Sequence, residues 1–343
     1  MNPYTKIISR FCKKKILVVG DVILDQYIQG SVSRISPEAP VPIVLEERFF
    51  YTPGGAANVA GNLHCLGAEV SLVGRIGHDA QGEIFKKELK KNAISTSGIF
   101  VDKKLPTITK TRVIAHHQQI VRIDREKSHL DGDPSVRHKI FHFIQKHMEA
   151  FDAVILSDYG KGLITADLVR FVVNLALEQK KIIAVDPKVE HFNYYQKVTA
   201  ITPNLKETEN AIRNIKITSR SGSKLAIHSD KLQSDEDIDL AGEELLKFLE
   251  LESLLITLGE RGMRLFEKGK KKSVSINTKA REVYDVSGAG DTVIAVFTLS
   301  LAAGATKHQA ADLANFAAGI VVGKLGAVAV TKPELLDAVK DGV

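Results

Sequence analysis

Asp285-Val-Ser-Gly-Ala-Gly-Asp291 runs directly into Thr292-Val-Ile-Ala-Val-Phe-Thr-Leu-Ser-Leu-Ala-Ala303, an apolar stretch of helical composition that stops before Gly304. A glycine-rich turn therefore opens on a helix N-terminus. Small residues at Gly288, Ala289 and Gly290 let backbone N–H groups converge on one point, where the helix dipole adds partial positive charge. Such a nest suits an anion in transit. The carboxylate in the first turn, Asp291, would repel a resident phosphate. The conflict disappears if Asp291 faces an acceptor hydroxyl and takes its proton while the nest holds the moving phosphoryl group. Ser287 or Asp291 capping the free N–H groups would explain the same residues. On this stretch alone both readings stand.

Outward from it, short β-branched runs recur at Ile16–Gly20, Val70–Val73, Ala153–Leu156, Lys181–Val185, Val198–Ile201 and Leu254–Leu258. Between them lie helical patterns at Ala57–Leu66, Gln81–Lys91, Ser135–Glu149, Thr165–Gln179 and Asp239–Leu249. This alternation predicts an α/β fold, a mostly parallel sheet covered by helices on both faces. Residues 26–51 and 107–124 break the rhythm with alternating, β-branched sequence and no helix between strands. They are expected to pair as one small antiparallel sheet covering the main one and excluding water from a reaction. Residues 214–237 are polar and irregular and read as a surface loop.

Pro53-Gly-Gly-Ala-Ala-Asn58-Val-Ala-Gly-Asn62 leads on to Gly67 and Val73-Gly-Arg-Ile-Gly77. Gly54 and Gly55 allow a ligand to lie against backbone, and Asn58 supplies a donor and an acceptor together. A plain turn with a first-turn polar residue fits as well. After the first strand, Gly20-Asp21-Val-Ile-Leu-Asp25 replaces the G-x-G-x-x-G of a dinucleotide fold. Two carboxylates at a strand end suit hydroxyl recognition. No Walker A motif occurs in the chain, which excludes a P-loop enzyme.

Gly54–Gly77 fits the first signature of the ribokinase-like (PfkB) carbohydrate kinases and Asp285–Asp291 the second, in the right order. The resemblance covers roughly residues 14–338. Within the family the chain is most similar to the D-glycero-β-D-manno-heptose 7-phosphate kinases of lipopolysaccharide core biosynthesis. Five segments carry that narrower likeness: Ser33–Pro42, Gln118-Gln119 with Arg122-Ile-Asp124, Ser157-Asp-Tyr-Gly-Lys-Gly162, Asp186-Pro-Lys188, and Tyr284–Asp291. The resemblance implies a ribokinase-like three-layer α/β/α domain over residues 1–343 with a discontinuous β lid. It implies ATP and Mg²⁺ as cofactors, leaves room for a monovalent cation, and makes a homodimer paired through the lid a reasonable expectation.

Roles follow by matching position. Asp291 corresponds to the base, with Gly288, Ala289 and Gly290 as anion hole; Asp25, Gly54, Gly55 and Asn58 correspond to the sugar-binding set. Asn204-Leu-Lys206-Glu207 matches the element associated with Mg²⁺ and the triphosphate, with Asn204 and Glu207 holding the ion through water and Lys206 reaching phosphate. As an isolated stretch it reads as a helix cap. Thr257-Leu-Gly259-Glu-Arg-Gly262 resembles the nucleotide loop, and Asn315 lies on the helix bordering adenine. For the sugar's own phosphate the candidate cations are Arg34, Lys110, Arg112, Arg122, Lys161 and Lys188, with Arg122 and Lys188 foremost because they sit inside the narrower motifs. His116 and His117 fall mid-strand on opposite faces and are assigned a structural or surface role. Many relatives carry a C-terminal nucleotidyltransferase domain whose signature is missing here, so the expected contribution is the kinase step only.

Bulk properties agree with a globular enzyme. The 343 residues are 44% hydrophobic and 26% charged, with 47 Lys and Arg against 41 Asp and Glu, a formal charge of +6. The basic clusters Lys13–Lys15 and Lys268–Lys272 flank strand-like segments without interleaved aromatics, which argues for solvated strand ends over a nucleic-acid surface. Two cysteines, Cys12 and Cys65, offer no disulfide framework or zinc spacing, and Cys65, on an apolar helix, is expected in the core. No signal-peptide pattern is seen, and the run Val293–Ala303 is too short to span a bilayer. A cytoplasmic location without membrane contact is expected. Two rivals remain: a kinase of this fold for another sugar, sugar phosphate or nucleoside, and a non-catalytic sugar-binding protein. The second would have no need of Asp291 or the nest, and both are present.

Overall fold

The computed structural model describes residues 2–116, 118–127, 132–218, 231–280, 282–324 and 326–342. From the N-terminus come α1 (Pro3–Ser9), β1 (Lys15–Gly20), β2 (Val22–Ile35), β3 (Pro42–Gly55), α2 (Ala56–Cys65), β4 (Glu69–Gly77) and α3 (Ala80–Lys91). Next are β5 (Ile99–Asp102), β6 (Thr109–Ala115), β7 (Gln118–Arg125), α4 (Pro134–His147), β8 (Ala153–Ser157), α5 (Ala166–Glu178), β9 (Ile182–Asp186) and β10 (Ala200–Ile201). The remainder is α6 (Leu205–Thr218), α7 (Asp235–Phe248), β11 (Ser253–Thr257), β12 (Met263–Glu267), β13 (Val274–Ile276), α8 (Ala289–Ala302), α9 (Lys307–Val322) and α10 (Lys332–Asp341).

The main sheet has nine strands in the order β13-β12-β11-β10-β9-β8-β1-β4-β5. It is parallel except for β12 and β13, which turn back at one edge. Side chains alternate across it with period two. Ile16 and Val18 pack into one core with α2, α8 and α9, whereas Leu17 and Val19 pack into the other with α4, α5 and α7. Full burial of each such side chain stabilises the fold by roughly 1.5–3 kcal/mol. Because the strands run parallel, their C-terminal ends gather polar residues on one rim. The order in which strands are added reverses at β1, which lies between β8 and β4, and ligand crevices form at such a switch point.

The second sheet, ordered β3-β2-β6-β7, is the expected cover. Its strands extend further than the sequence suggested, since β2 begins at Val22 and β3 ends at Gly55. The expectation of purely antiparallel pairing needs correction, because β2 and β6 run parallel, with Asp25 opposite Lys110 and Tyr27 opposite Arg112. After β3 the chain passes through α2, β4, α3 and β5 before re-entering the lid from the end where β2 began, and that return forbids a hairpin.

Other local expectations also change. The surface loop read at 214–237 starts inside α6 and ends inside α7, while residues 219–230 lie outside the described residues. Cys65 is the exposed last residue of α2, not a core residue. His116 is not mid-strand: it sits at the turn between β6 and β7 with φ 49°, its ring on the backbone of Val32. His117 lies outside the described residues. Lys14 and Lys15 are paired with Asp152 and Glu69.

Asp21 follows β1 and is only 2% exposed. It accepts backbone N–H groups from Tyr159 at 3.1 Å, Lys161 at 2.9 Å and Leu163 at 3.0 Å, fixing the loop that leaves β8. The hydroxyl-recognition role read for Asp21 is therefore corrected: its oxygens are committed to backbone. Asp21→Ala should strand these buried donors and destabilise the protein by roughly 3 kcal/mol. A urea-denaturation midpoint unchanged from wild type would contradict this.

Candidate active site

Before α8 the turn is held at both ends by Asp285, which accepts the N–H of Ser287 at 2.9 Å and of Gly326 at 3.0 Å. Gly288 then caps the helix in the left-handed region, φ 79°, where an added Cβ would lie 2.8 Å from Asn58 Nδ2. Glycine is required here by both backbone and neighbour. The next turn buries Asp291 at 5% exposure. Its Oδ2 accepts from Asn58 Nδ2 at 2.7 Å and its Oδ1 from the Tyr159 hydroxyl at 2.7 Å. One residue on, Thr292 donates to Asn62 Oδ1 at 2.9 Å, and Asn62 Nδ2 donates to the Asn58 carbonyl at 3.0 Å. A buried polar ladder thus locks α8 to α2.

Burial pushes the Asp291 carboxyl up to about 6, with the nearby charge of Asp25 adding to the rise. The Asn58 and Tyr159 donors and the Lys110 charge pull the other way. The result is a carboxylate ionised at neutral pH yet more basic than an exposed one, the property a general base needs. Among the described residues, the N–H groups of Gly288, Gly290 and Asp291 donate to no protein acceptor. Ala289 differs. Its N–H goes to the Val286 carbonyl at 3.2 Å, so of the three amides expected to face an anion it is the one already engaged.

Tyr159 is the functional residue that sequence reasoning missed. It lies within the Ser157–Gly162 segment already singled out, but nothing local links it to Asp291. Its loop is pinned by Asp21 and again by Asp158, whose carboxylate accepts from Gly160 N–H at 2.8 Å, Tyr195 hydroxyl at 2.7 Å and His191 Nδ1 at 2.7 Å. The hydrogen bond and charge of Asp158 raise the proton affinity of His191. Burial and the adjacent Asp291 charge keep the Tyr159 phenol protonated, hence a permanent donor.

Over this floor lies the lid. Asp25 is ion-paired with Arg112, which also stacks over Tyr27 at 5.3 Å. A Cβ on Gly54 would fall 2.0 Å from Asp25 Oδ2, so this glycine lets the carboxylate lie against the neighbouring strand. Gly55 is the N-cap of α2. The remaining predicted cations are placed differently. Arg122 forks onto Asp124 at 2.9 and 3.1 Å, Lys161 pairs with Glu126 at 2.7 Å, Lys188 Nζ lies 4.0 Å from Glu190, and Arg34 is exposed on the lid.

On the other side of Asp291, the rim carries Asp186 and the start of α6. Asn204 and Glu207 form a reciprocal cap, each side chain accepting the other's N–H at 2.8 Å, while Lys206 is exposed. The helix-cap reading of this stretch is therefore present in the fold. Burial, then the charges of Asp291 and Glu207, raise the proton affinity of Asp186 strongly, and burial raises that of Glu207. Among the described residues no group of three or more His, Cys, Asp or Glu is arranged to hold a bare ion. Crowded carboxylates short of a ligand cage suit a hydrated divalent cation.

Thr257 ends β11, bridged to Asn204, and Gly259 and Gly262 bound the turn that follows. Asn315 is buried and donates to the Asn277 carbonyl at 2.6 Å, so it positions the loop beyond β13. That loop and α9 enclose a cavity of about 500 Å³ lined by Lys279, Tyr284, Phe316 and Ile320.

The arrangement joins a buried, doubly held carboxylate and unengaged backbone amides at the start of α8. The sequence matches the model of the pfkB family carbohydrate kinases over residues 13–334. The chain belongs to this family. It is a sugar kinase. Among curated relatives, the "Bifunctional protein HldE" of Desulfatibacillum aliphaticivorans is 41% identical over 340 residues, covering 99% of this chain and 66% of that protein. The protein of the same name from Helicobacter pylori is 42% identical over 323 residues, covering 94% and 66%. The chain thus spans about two thirds of the length of these relatives. In fold it is similar to an Arabidopsis thaliana ribokinase complexed with ribose and ATP, with TM-score 0.71 at 18% identity over 95% of this chain and 99% of that one. It is equally similar to Escherichia coli phosphofructokinase-2 in complex with potassium, with TM-score 0.72 at 15% identity over 96% and 99%.

Since only ionised Asp291 accepts a proton, kcat/KM for the acceptor should fall about tenfold per pH unit below about 6. A profile flat to pH 5 would rule this out. Tyr159→Phe removes a donor to the charged form, so the acid limb should move upward by roughly one pH unit. An unmoved limb in that variant would show that the phenol does not tune the base.

Proposed function

We propose that this kinase transfers the γ-phosphoryl group of ATP to the anomeric O1 of D-glycero-D-manno-heptose 7-phosphate. The products are heptose 1,7-bisphosphate and ADP, a step toward ADP-heptose and the lipopolysaccharide core. The observation that carries the reading is the buried Asp291 carboxylate, held from both sides at 2.7 Å beside unengaged amides at the start of α8. The choice of sugar rests on the five motif segments, two of which supply Tyr159 and Asp186 to this rim.

In the proposed reaction, the sugar lies between lid and main sheet with O1 at Asp291. Asp25 accepts sugar hydroxyls beside Gly54 and Gly55, and Asn58 holds the base. Asp291 takes the O1 proton as O1 attacks the γ-phosphorus in line, the bond to the ADP oxygen breaks, and the amides of Gly288, Gly290 and Asp291 stabilise the charge on the group in transit. Asn204 and Glu207, with Asp186 close by, would hold Mg²⁺ through water, and the ion when bound neutralises phosphate charge. Lys206, Thr257, Gly259 and Gly262 face the triphosphate side, and the cavity beside Asn315 and α9 receives adenine. A monovalent cation is a further reading carried over from the family resemblance.

Leu45 and Phe49 on β3, with Ile120, Val121 and Ile123 on β7, leave apolar side chains exposed on the lid. We therefore read the enzyme as a homodimer joined through this sheet. Among the described residues no helix is long and apolar enough to cross a membrane. We read the reaction as cytoplasmic, where ATP would be at hand.

The test is a panel of free and phosphorylated sugars with ATP, in which heptose 7-phosphate should give the highest kcat/KM. Preference for an unphosphorylated sugar would defeat the substrate assignment. Asp291→Asn should lower kcat by about 10²–10⁴ while acceptor affinity by calorimetry stays near wild type. Wild-type turnover in that variant would defeat the base assignment.

A further inference from the structure

We infer that Lys110 reads the acceptor's own, untransferred phosphate and so makes the enzyme select a phosphorylated sugar. The inference rests on the sugar-phosphate reading of the cleft.

Strand register places the relevant charges in two rows on one lid face. Asp25, Lys110 and Asp124 are directly paired across β2, β6 and β7, and Tyr27, Arg112 and Arg122 form the next row on that face. The charges close diagonally between rows. Arg112 takes Asp25, and Arg122 takes Asp124 with both edges of its fork. Two anions and two cations are thereby matched, and the ammonium between them is left over. Among the described residues Lys110 Nζ makes no hydrogen bond or ion pair.

Its position is that of a substrate ligand, not of a solvated surface lysine. Lys110 is partly buried, with Nζ 5.9 Å from the centre of the Tyr159 ring, the same ring whose hydroxyl holds Asp291. The ammonium thus lies over the face of the ring whose hydroxyl is bonded to Asp291, on the lid side of the carboxylate. Burial lowers its proton affinity, with Lys161 and Arg122 adding to the effect against Asp25 and Asp124. A half-desolvated ammonium whose N–H groups find no protein acceptor is costly, and a dianionic phosphate relieves that cost with charge-assisted hydrogen bonds. Of the other candidates, Arg112, Arg122, Lys161 and Lys188 each have a protein carboxylate nearby, and Arg34 is exposed towards the far end of β2.

The experiment compares heptose 7-phosphate with unphosphorylated heptose, in wild type, Lys110→Met and Lys110→Arg. Wild type should favour the phosphorylated acceptor. In Lys110→Met the ratio of the two kcat/KM values should drop roughly 10- to 100-fold, the loss carried by KM for the phosphorylated sugar. Lys110→Arg should recover most of the ratio, and an unchanged melting temperature would show that Lys110→Met is folded. If Lys110→Met slows both acceptors equally and keeps the ratio, Lys110 serves the base and the inference is overturned while the sugar-phosphate reading stands. If wild type itself shows no preference for the phosphorylated acceptor, that reading fails and takes the inference with it.

Discussion

The site depends on how one buried carboxylate is held. Asp291 loses solvation at the start of α8, which alone would favour its neutral form. Two donors from distant parts of the chain, the Asn58 amide and the Tyr159 hydroxyl, favour the ion instead. The balance sits near neutrality because neither effect wins outright. Each carboxylate oxygen accepts one protein donor and keeps a lone pair for an incoming hydroxyl. Orientation and basicity therefore come from the same two contacts.

Those contacts are only as rigid as the elements behind them. Asn58 is carried by α2, which is tied to α8 through Asn62 and Thr292. Tyr159 is carried by a loop that has no regular structure, and two buried carboxylates replace the missing ladder by accepting its backbone N–H groups. Asp21 and Asp158 thus act at one remove from the chemistry. Their burial raises the electrostatic cost of the rim, where Asp186 already feels the charges of Asp291 and Glu207. Such crowding is tolerable in a site whose ligands bring counter-charge, and it would be a liability in a purely structural core.

Sequence reasoning worked where structure is set by neighbours along the chain. The alternation of Ile16, Leu17, Val18 and Val19 between two cores is a period-two pattern visible in the letters. The glycine turn, the helix after it and the two lid segments were readable for the same reason. It went wrong where the outcome depended on chain direction in space or on competition for a donor. The parallel pairing of β2 with β6 follows from the path taken between them. Cys65 sits on an apolar helix but at its exposed end. Ala289 belongs to the expected nest, yet its amide has a nearer acceptor in Val286.

By itself the sequence determined the layered α/β architecture, the lid and the family, because periodicity, turn chemistry and motif spacing are short-range properties. The tertiary structure decided which charges face each other. Tyr159 and Asp291 are separated by 132 positions and Asn58 and Asp291 by 233, so no local pattern encodes either bond. The same holds on the lid, where the pairing of Arg112 with Asp25 and Arg122 with Asp124 singles out Lys110. Hydrogen bonds and ion pairs are satisfied by proximity in space, and only the packed sheet and its cover set that proximity.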